Sequence, residues 1–352
     1  MSNDTPLPEI IHGDCIVHMA AMAAAGKTYS SIVTDPPYHL TSKPGGKAGF
    51  MGRAWDGGGI AFDPQTWRLA LDLLEPGGML AAFGGSRTQH RMACAIEDAG
   101  FEIRDAALWL YGSGFPKSKA LLKPAYEPII LARKPGPLRM LDIDGCRVPA
   151  TDKEAGSGKQ PFSRNGQRDD SGRPAMNARP GGRAAFDTTQ GRWPANILHD
   201  GSEEVLEAFA AFGSKRSAWD YPTASSTENI IYGKRTGRQG RLYDDAGSAA
   251  RFFYAAKASK HDRAGSRHPT IKPLSLMRYL CRLINLPGGT ILDPFAGSGT
   301  TLAAAHMEGF HAVGIEREAE YVADVRRRIA ALTATAQPAP LGGLFAEQDA
   351  AE

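Results

Sequence analysis

Apolar and polar stretches alternate along the chain in a way that lays out strands and helices before any motif is considered. Residues 28–34 (Thr-Tyr-Ser-Ser-Ile-Val-Thr) are rich in β-branched and aromatic side chains and predict a short strand. It stops at Asp35-Pro36-Pro37-Tyr38, because two prolines cannot continue a ladder and the chain must turn. Residues 39–63, rich in Gly and Lys, read as a mobile loop. Trp67, Leu71 and Leu74 recur at helical spacing and predict a helix over 64–75, halted by Pro76-Gly77-Gly78. A buried strand over 79–83, a helix over 87–98 and strands over 101–110 and 126–132 follow. Such βαβαβ alternation predicts a mostly parallel sheet covered by helices.

The pattern breaks at about residue 151. Residues 151–192 are dense in Gly, Arg, Ser and Asn and read as a flexible insert. Order returns near residue 252. A helix is predicted over 273–284 with Pro273 as its first residue, then a strand over 289–292. A glycine turn (Asp293-Pro294-Phe295-Ala296-Gly297-Ser298-Gly299) leads into a helix over 300–308, a strand over 312–315 ending at Glu316, and a last helix over 321–332. The expected division is 1–150, 151–254, 255–332 and an Ala- and Pro-rich tail, 333–352.

Composition narrows the class. The 352 residues are 42% hydrophobic and 22% charged, ordinary values for a soluble globular chain with ample length for a core. Lys plus Arg number 41 against 38 acids, a net charge of +3, and segment 151–263 carries 18 basic against 14 acidic residues. The basic surplus therefore sits in the middle. No run approaches the roughly 18 apolar residues of a membrane span, and residues 1–14 lack the basic start and apolar run of a secretory signal. Cys15, Cys94, Cys146 and Cys281 are far apart, so reduced thiols, no structural metal site and a cytoplasmic location are expected.

Two constellations carry chemistry. The first is strand, Gly-Ser-Gly turn, helix, strand, acidic residue over 290–316. Its glycines let backbone approach a ligand, its helix start offers free N–H groups, and Glu316 can accept both hydroxyls of a ribose. The lysine of a phosphate-binding loop is absent, and Thr300-Thr301-Leu302 breaks the dinucleotide fingerprint, so an adenosine ligand without a pyrophosphate fits better. An ordinary strand-to-helix turn has a similar spelling, and the nucleoside stays open on this evidence.

The second constellation is Asp35-Pro36-Pro37-Tyr38. The exocyclic amine of adenine or cytosine is a poor nucleophile because its lone pair is delocalised into the ring. The Asp35 carboxylate and the Pro36 carbonyl can accept both amine hydrogens and draw the nitrogen toward a tetrahedral, attacking geometry. Pro36 and Pro37 preorganise those acceptors, and Tyr38 offers a face on which an extruded base can stack. A Pro-Pro turn with a capping Asp is the plainer alternative.

Together the two constellations resemble the amino-methyltransferases that use S-adenosylmethionine to methylate DNA at adenine N6 or cytosine N4. The order, with Asp-Pro-Pro-Tyr first and the glycine turn later, resembles the beta class of that family, in which the target-recognition region lies between the two. Ile11-His12-Gly13-Asp14-Cys15, His268-Pro269-Thr270-Ile271-Lys272-Pro273, Leu74 to Gly78 and Tyr126-Glu127-Pro128-Ile129-Ile130 also match.

The resemblance implies a Rossmann-like α/β fold, with a mixed, mostly parallel sheet, helices on both faces and an inserted irregular target-recognition region. It implies that Asp35, Pro36, Pro37 and Tyr38 are catalytic. Asp14 would stand beside the cofactor's adenine, Glu316 would hold its ribose, and Asp293, Phe295, Gly297, Ser298 and Gly299 would surround it. Thr300 and Lys272 would serve its carboxylate. Trp109 and residues 112–117 would line the base pocket. Arg164, Arg168, Arg173, Lys234, Arg235 and Arg238 are expected to meet DNA phosphates. The implied activity is site-specific methylation of adenine N6 in double-stranded DNA by base flipping and direct displacement. Asp at the first motif position goes mostly with adenine in that family. Cytosine N4, or a catalytically silent DNA-binding protein of the same fold, are the alternatives. A homodimer and a cognate restriction endonuclease complete the expected partners.

Overall fold

The computed structural model describes residues 6–39, 58–114, 119, 122–148, 191–211, 248–256, 260–263, 265–266, 268 and 270–335. Among them nine strands form one sheet: β1 (Glu9–His12), β2 (Tyr29–Thr34), β3 (Leu74–Phe83), β4 (Glu102–Leu110), β5 (Tyr126–Arg133), β6 (Ile197–His199), β7 (Tyr254–Ala255), β8 (Thr290–Asp293) and β9 (His311–Glu316). Their spatial order is β1-β9-β8-β2-β3-β5-β4-β6-β7. Every neighbouring pair is parallel except the two made by β5, which runs against β3 and β4.

Helices cover both faces. On one lie α1 (Cys15–Ala24), α2 (Pro64–Leu73) and α3 (Gln89–Asp98); on the other lie α5 (Leu274–Ile284), α6 (Thr300–Met307) and α7 (Ala319–Thr335). A further helix, α4 (Glu203–Ala210), follows β6. The strands sort their side chains between two cores by simple alternation. Ile32, Leu80, Ala82, Ile130 and Ala132 face the first helix layer, while Val33, Met79, Ala81, Phe83, Ile129 and Leu131 face the second. This explains why β2 is buried at all six positions, as strands covered on both faces are.

The connectivity creates the site. From β8 the chain passes through α6 to β9 on one side, and from β2 through α2 to β3 on the other, while β8 and β2 lie side by side. Ligands of open α/β sheets bind where connections diverge in this way, outside the carboxyl ends of the strands. Asp293 is the last residue of β8, and Asp35 follows β2 directly. Because β5 is antiparallel, its first residues stand at this same edge, with Ile129 paired to Phe83 at the end of β3.

Several elements depart from the sequence reading. β1 and α1 precede the first predicted strand; a four-residue strand is too short to stand out as a pattern. β3 begins at Leu74, directly after α2, and runs through Pro76-Gly77-Gly78, which were expected to separate helix from strand. Gly77 makes this passage feasible: its φ is 76°, and a Cβ there would lie 2.2 Å from the Pro137 carbonyl oxygen. Pro273 precedes α5 as its cap residue, with φ −55° and ψ 133°, and is not its first helical residue. α7 runs to Thr335, into the expected tail. β6 and β7 join the main sheet through β4, so described parts of the 151–254 segment are woven into it. Most of the expected loop over 39–63 and of the insert over 151–192 lies outside the described residues.

Candidate active site

A cavity of about 1000 Å³ opens at the carboxyl edge of the sheet, and both constellations line it. Asp14, Asp35, Pro36, Pro37, Tyr38, Lys272, Asp293, Phe295, Gly297, Ser298, Thr300 and Glu316 all contribute to its wall. Gly299 stands just behind, as the cap residue of α6 with φ 72°. A Cβ there would lie 2.5 Å from Val325 Cγ1, so only glycine lets α7 pack against the turn.

The turn is held from three directions. The Ala296 N–H donates to the Ile315 carbonyl at 3.0 Å, tying the loop to β9. Glu316 accepts from the Gly297 N–H at 2.8 Å and, through its other oxygen, from the Glu318 N–H at 2.7 Å. Asp293 accepts from the Thr34 hydroxyl at 2.6 Å and from the Phe295 N–H at 3.1 Å. Behind the loop, fully buried Arg328 donates from Nη1 to the Ser298 carbonyl and to Thr300 Oγ1, each at 2.8 Å, and from Nε to the Asp262 carbonyl at 2.9 Å. Thr300 thus keeps its single O–H to give to Ser298 or to a ligand. Asp14 is exposed and caps α1, accepting from the Ile16 N–H at 2.9 Å.

Burial dominates the electrostatics of this half. It lifts Asp293 to about 6 and Glu316 to about 7, against the hydrogen bonds that favour their ionised forms. The sign follows from linkage: a carboxyl whose folded pKa lies above its unfolded one binds its proton more tightly when folded. Its stabilisation is present below the unfolded value and is lost as pH rises through the folded one. The ligand-free protein is therefore expected to lose thermal stability from these two groups as pH rises, over 3.8 to about 6 for Asp293 and 4.5 to about 7 for Glu316. Glu316→Gln should flatten that slope; melting temperatures measured across this range, with an unchanged slope in the variant, would contradict it.

The other half of the cavity centres on Asp35. The Tyr38 hydroxyl lies 2.7 Å from Asp35 Oδ1 and 3.0 Å from Glu127 Oε2, its one proton serving two carboxylates. Burial and these carboxylates push the Tyr38 pKa well up, so it stays a neutral phenol. Lys272 Nζ donates to Asp35 Oδ2 at 2.8 Å and to Tyr38 Oη at 3.1 Å, and lies 2.9 Å from Glu127 Oε2. Burial opposes the lysine's charge, but Asp35 and Glu127 outweigh it and raise its pKa. The Tyr38 carbonyl accepts from the Thr88 hydroxyl at 3.0 Å, which ties the motif to the cap residue of α3.

The lysine expected at a cofactor carboxylate is thus bound to Asp35 and Tyr38. Trp109 lines the cavity beside Tyr111, with ring centroids 5.2 Å apart. Ser113 lines it too, whereas the Gly112 N–H is tied to Asp200 at 3.0 Å and residues 115–118 lie outside the described residues. Arg164, Arg168, Arg173, Lys234, Arg235 and Arg238 also lie outside them. Exposed Arg87, Arg263 and Arg317 line the cavity and were not anticipated.

Two further residues carry signals that were available. Glu127 is a carboxylate near the start of a strand that carries no other charge until Arg133 at its end. Arg328 stands on the buried stripe of α7 with Val325 and Leu332, although it ends the run Arg326-Arg327-Arg328.

The family model N6_N4_Mtase, described as DNA methylase, matches residues 29–327, and the chain belongs to this family. It is 30% identical over 115 residues to the type II methyltransferase M2.DpnII of Streptococcus pneumoniae, covering 30% of this chain and 43% of that one. It is 27% identical over 113 residues to the type II methyltransferase M2.LlaDCHI of Lactococcus lactis subsp. cremoris, covering 30% and 42%. The matched stretch therefore spans less than half of either relative. Among solved structures, PvuII DNA methyltransferase (cytosine-N4-specific) is similar in fold at a TM-score of 0.50 and 16% identity, covering 94% of this chain and 91% of the other. An M1.HpyAVI–SAM complex aligns at a TM-score of 0.47 and 16% identity, covering 92% and 100%.

S-adenosylmethionine is the cofactor that family membership brings, and the cavity fits it. Gly297 has φ 51°, and a Cβ there would come within 3.3 Å of His268 Nε2, so the glycine keeps the wall open. Glu316 and Asp293 supply acceptors for hydroxyl donors at the same wall.

Proposed function

We propose that this protein methylates the exocyclic N6 of adenine in double-stranded DNA at a specific site, using S-adenosylmethionine. The observation that carries the reading is the meeting of Asp35 and Asp293 in one cavity, at the ends of the adjacent strands β2 and β8. In this reading Asp293, Phe295, Gly297, Ser298, Gly299, Thr300 and Glu316 hold the cofactor, with Asp14 beside its adenine. When bound, S-adenosylmethionine supplies a methyl group made electrophilic by a cationic sulfur.

The protein's part is acceptance and positioning. Asp35 and the Pro36 carbonyl would accept the two amine hydrogens, which localises the nitrogen lone pair for attack on the methyl; the methyl–nitrogen bond forms as the methyl–sulfur bond breaks, S-adenosylhomocysteine leaves, and the methylated nitrogen gives up one proton. Tyr38, Trp109 and Tyr111 offer aromatic faces to a base taken out of the duplex, a step that costs a few kcal/mol. Basic residues offset it through phosphate contacts: Arg87, Arg263 and Arg317 at the cavity, and Arg164, Arg168, Arg173, Lys234, Arg235 and Arg238 from the middle segment. Adenine is favoured because the motif opens with Asp35. A homodimer, a cognate restriction endonuclease and a cytoplasmic location belong to the same proposal.

The test is nucleoside analysis by mass spectrometry of unmethylated genomic DNA after incubation with protein and S-adenosylmethionine. N6-methyladenine is the expected product. N4-methylcytosine would keep the acceptor chemistry and replace the base.

A further inference from the structure

We propose that Glu127 and Lys272 form a charge-balancing pair that positions the catalytic carboxylate of Asp35. The inference rests on the reading of Asp35 as acceptor of the target amine. Glu127 lies outside both motifs and reaches the site because the antiparallel strand β5 starts at the catalytic edge.

Hydrogen-bond capacity defines the arrangement. An ammonium has three N–H donors and no acceptor. Around Lys272 Nζ stand three acceptors: Asp35 Oδ2 at 2.8 Å, Glu127 Oε2 at 2.9 Å and Tyr38 Oη at 3.1 Å. Its side chain is 11% exposed and its charge lies 4.8 Å from the centroid of the Phe83 ring, so water cannot readily replace a lost partner. No N–H is left for a cofactor carboxylate unless one of these bonds breaks. Glu127 Oε2 is the hub on the far side, meeting both Lys272 Nζ and the Tyr38 hydroxyl. Those two groups in turn hold one oxygen each of Asp35.

The charges give this geometry a purpose. Two carboxylates and one ammonium leave one net negative charge beside the amine, which becomes cationic as it is methylated. Without Glu127, Lys272 would cancel Asp35 and the site would be neutral when positive charge develops. Without Lys272, two carboxylates would share one tyrosine hydroxyl, and the site would take up a proton or repel. Glu127 also keeps Lys272 paired when Asp35 Oδ2 turns to the amine.

The experiment is a charge-swap cycle on the full chain, with unmethylated genomic DNA and S-adenosylmethionine as substrates. Glu127→Gln and Lys272→Met are each expected to lower kcat by about 10- to 100-fold, less than the roughly 10²- to 10³-fold of losing a preorganised contact to the reacting group itself, because both act through Asp35. Cofactor affinity, read separately by calorimetry, should stay within about threefold of wild type. The double variant restores the single net negative charge and is expected to turn over faster than Lys272→Met alone. Damage to packing alone would make the double variant no better than the worse single one.

A double variant without this recovery overturns the proposal. So does a Lys272→Met protein that loses cofactor affinity but keeps kcat at saturating cofactor, since that places Lys272 on the cofactor. If Lys272→Met does not fold, Glu127→Gln decides alone: a folded protein with normal kcat overturns it. Asp35→Asn run in parallel separates the two readings. Full turnover there defeats the acceptor role itself, whereas an inactive Asp35→Asn with no recovery in the double variant defeats only the pair.

Discussion

Asp35→Asn is expected to lower methyl transfer by at least about 10²- to 10³-fold, the scale of removing one preorganised electrostatic contact. The substitution keeps the shape of the side chain and one acceptor oxygen. It removes the charge and turns the second oxygen into a donor, which then faces either the Lys272 ammonium or the Tyr38 hydroxyl. The amine of the target base loses an acceptor at the moment its nitrogen must become tetrahedral. Cofactor affinity should be spared, because Asp35 holds none of the glycine turn. Single-turnover transfer and calorimetric cofactor binding, measured on the same preparation, check both halves. Equal losses in the two would mean that Asp35 supports the cofactor wall.

Arg328→Met is the second substitution expected to have a large effect, and it acts through stability. The guanidinium is a fork that no other side chain reproduces. Nη1 reaches the Ser298 carbonyl and Thr300, while Nε and Nη2 both donate to the Asp262 carbonyl. Burial lowers its pKa to about 10, which still leaves it charged at neutral pH. Methionine fills much of the volume but strands the two carbonyls in the interior, where each orphaned group costs about 1–3 kcal/mol. A loss of about 2–6 kcal/mol is expected on this basis, with weakened cofactor binding, because Ser298 and Thr300 belong to the cavity wall. Arg328→Lys should recover little, since one ammonium cannot span both carbonyls. Chemical denaturation and cofactor titration measure the two effects; a stable variant with intact affinity would reduce Arg328 to a passive core residue.

The parts of the site legible in the sequence are those in which chemistry and conformation share a few adjacent residues. Asp35-Pro36-Pro37-Tyr38 and Asp293 to Thr300 carry their turn signals beside their functional groups, and Glu316 is the polar end of an apolar strand. The illegible parts depend on pairings across the chain. Lys272 meets Asp35 across 237 positions, and no local pattern states that its amine is spent there. Glu127 reaches Tyr38 and Lys272 because β5 is antiparallel and starts at the carboxyl edge of the sheet, a matter of topology. Arg328 was masked by Arg326 and Arg327, which are exposed on the same helix. For the fold, continuous apolar strands such as β2 were readable. β1, β6 and β7 have four, three and two residues and become strands only by pairing with β9 and β4 or with each other.

Methyl transfer to DNA is tested most directly by following label from S-adenosylmethionine. The measurement is transfer from methyl-tritiated cofactor to unmethylated double-stranded DNA by the purified protein, followed by digestion and separation of the nucleosides. Label on an exocyclic amine, with N6-methyladenine as the labelled nucleoside, is the predicted result. Tight cofactor binding with no label in the DNA would contradict it.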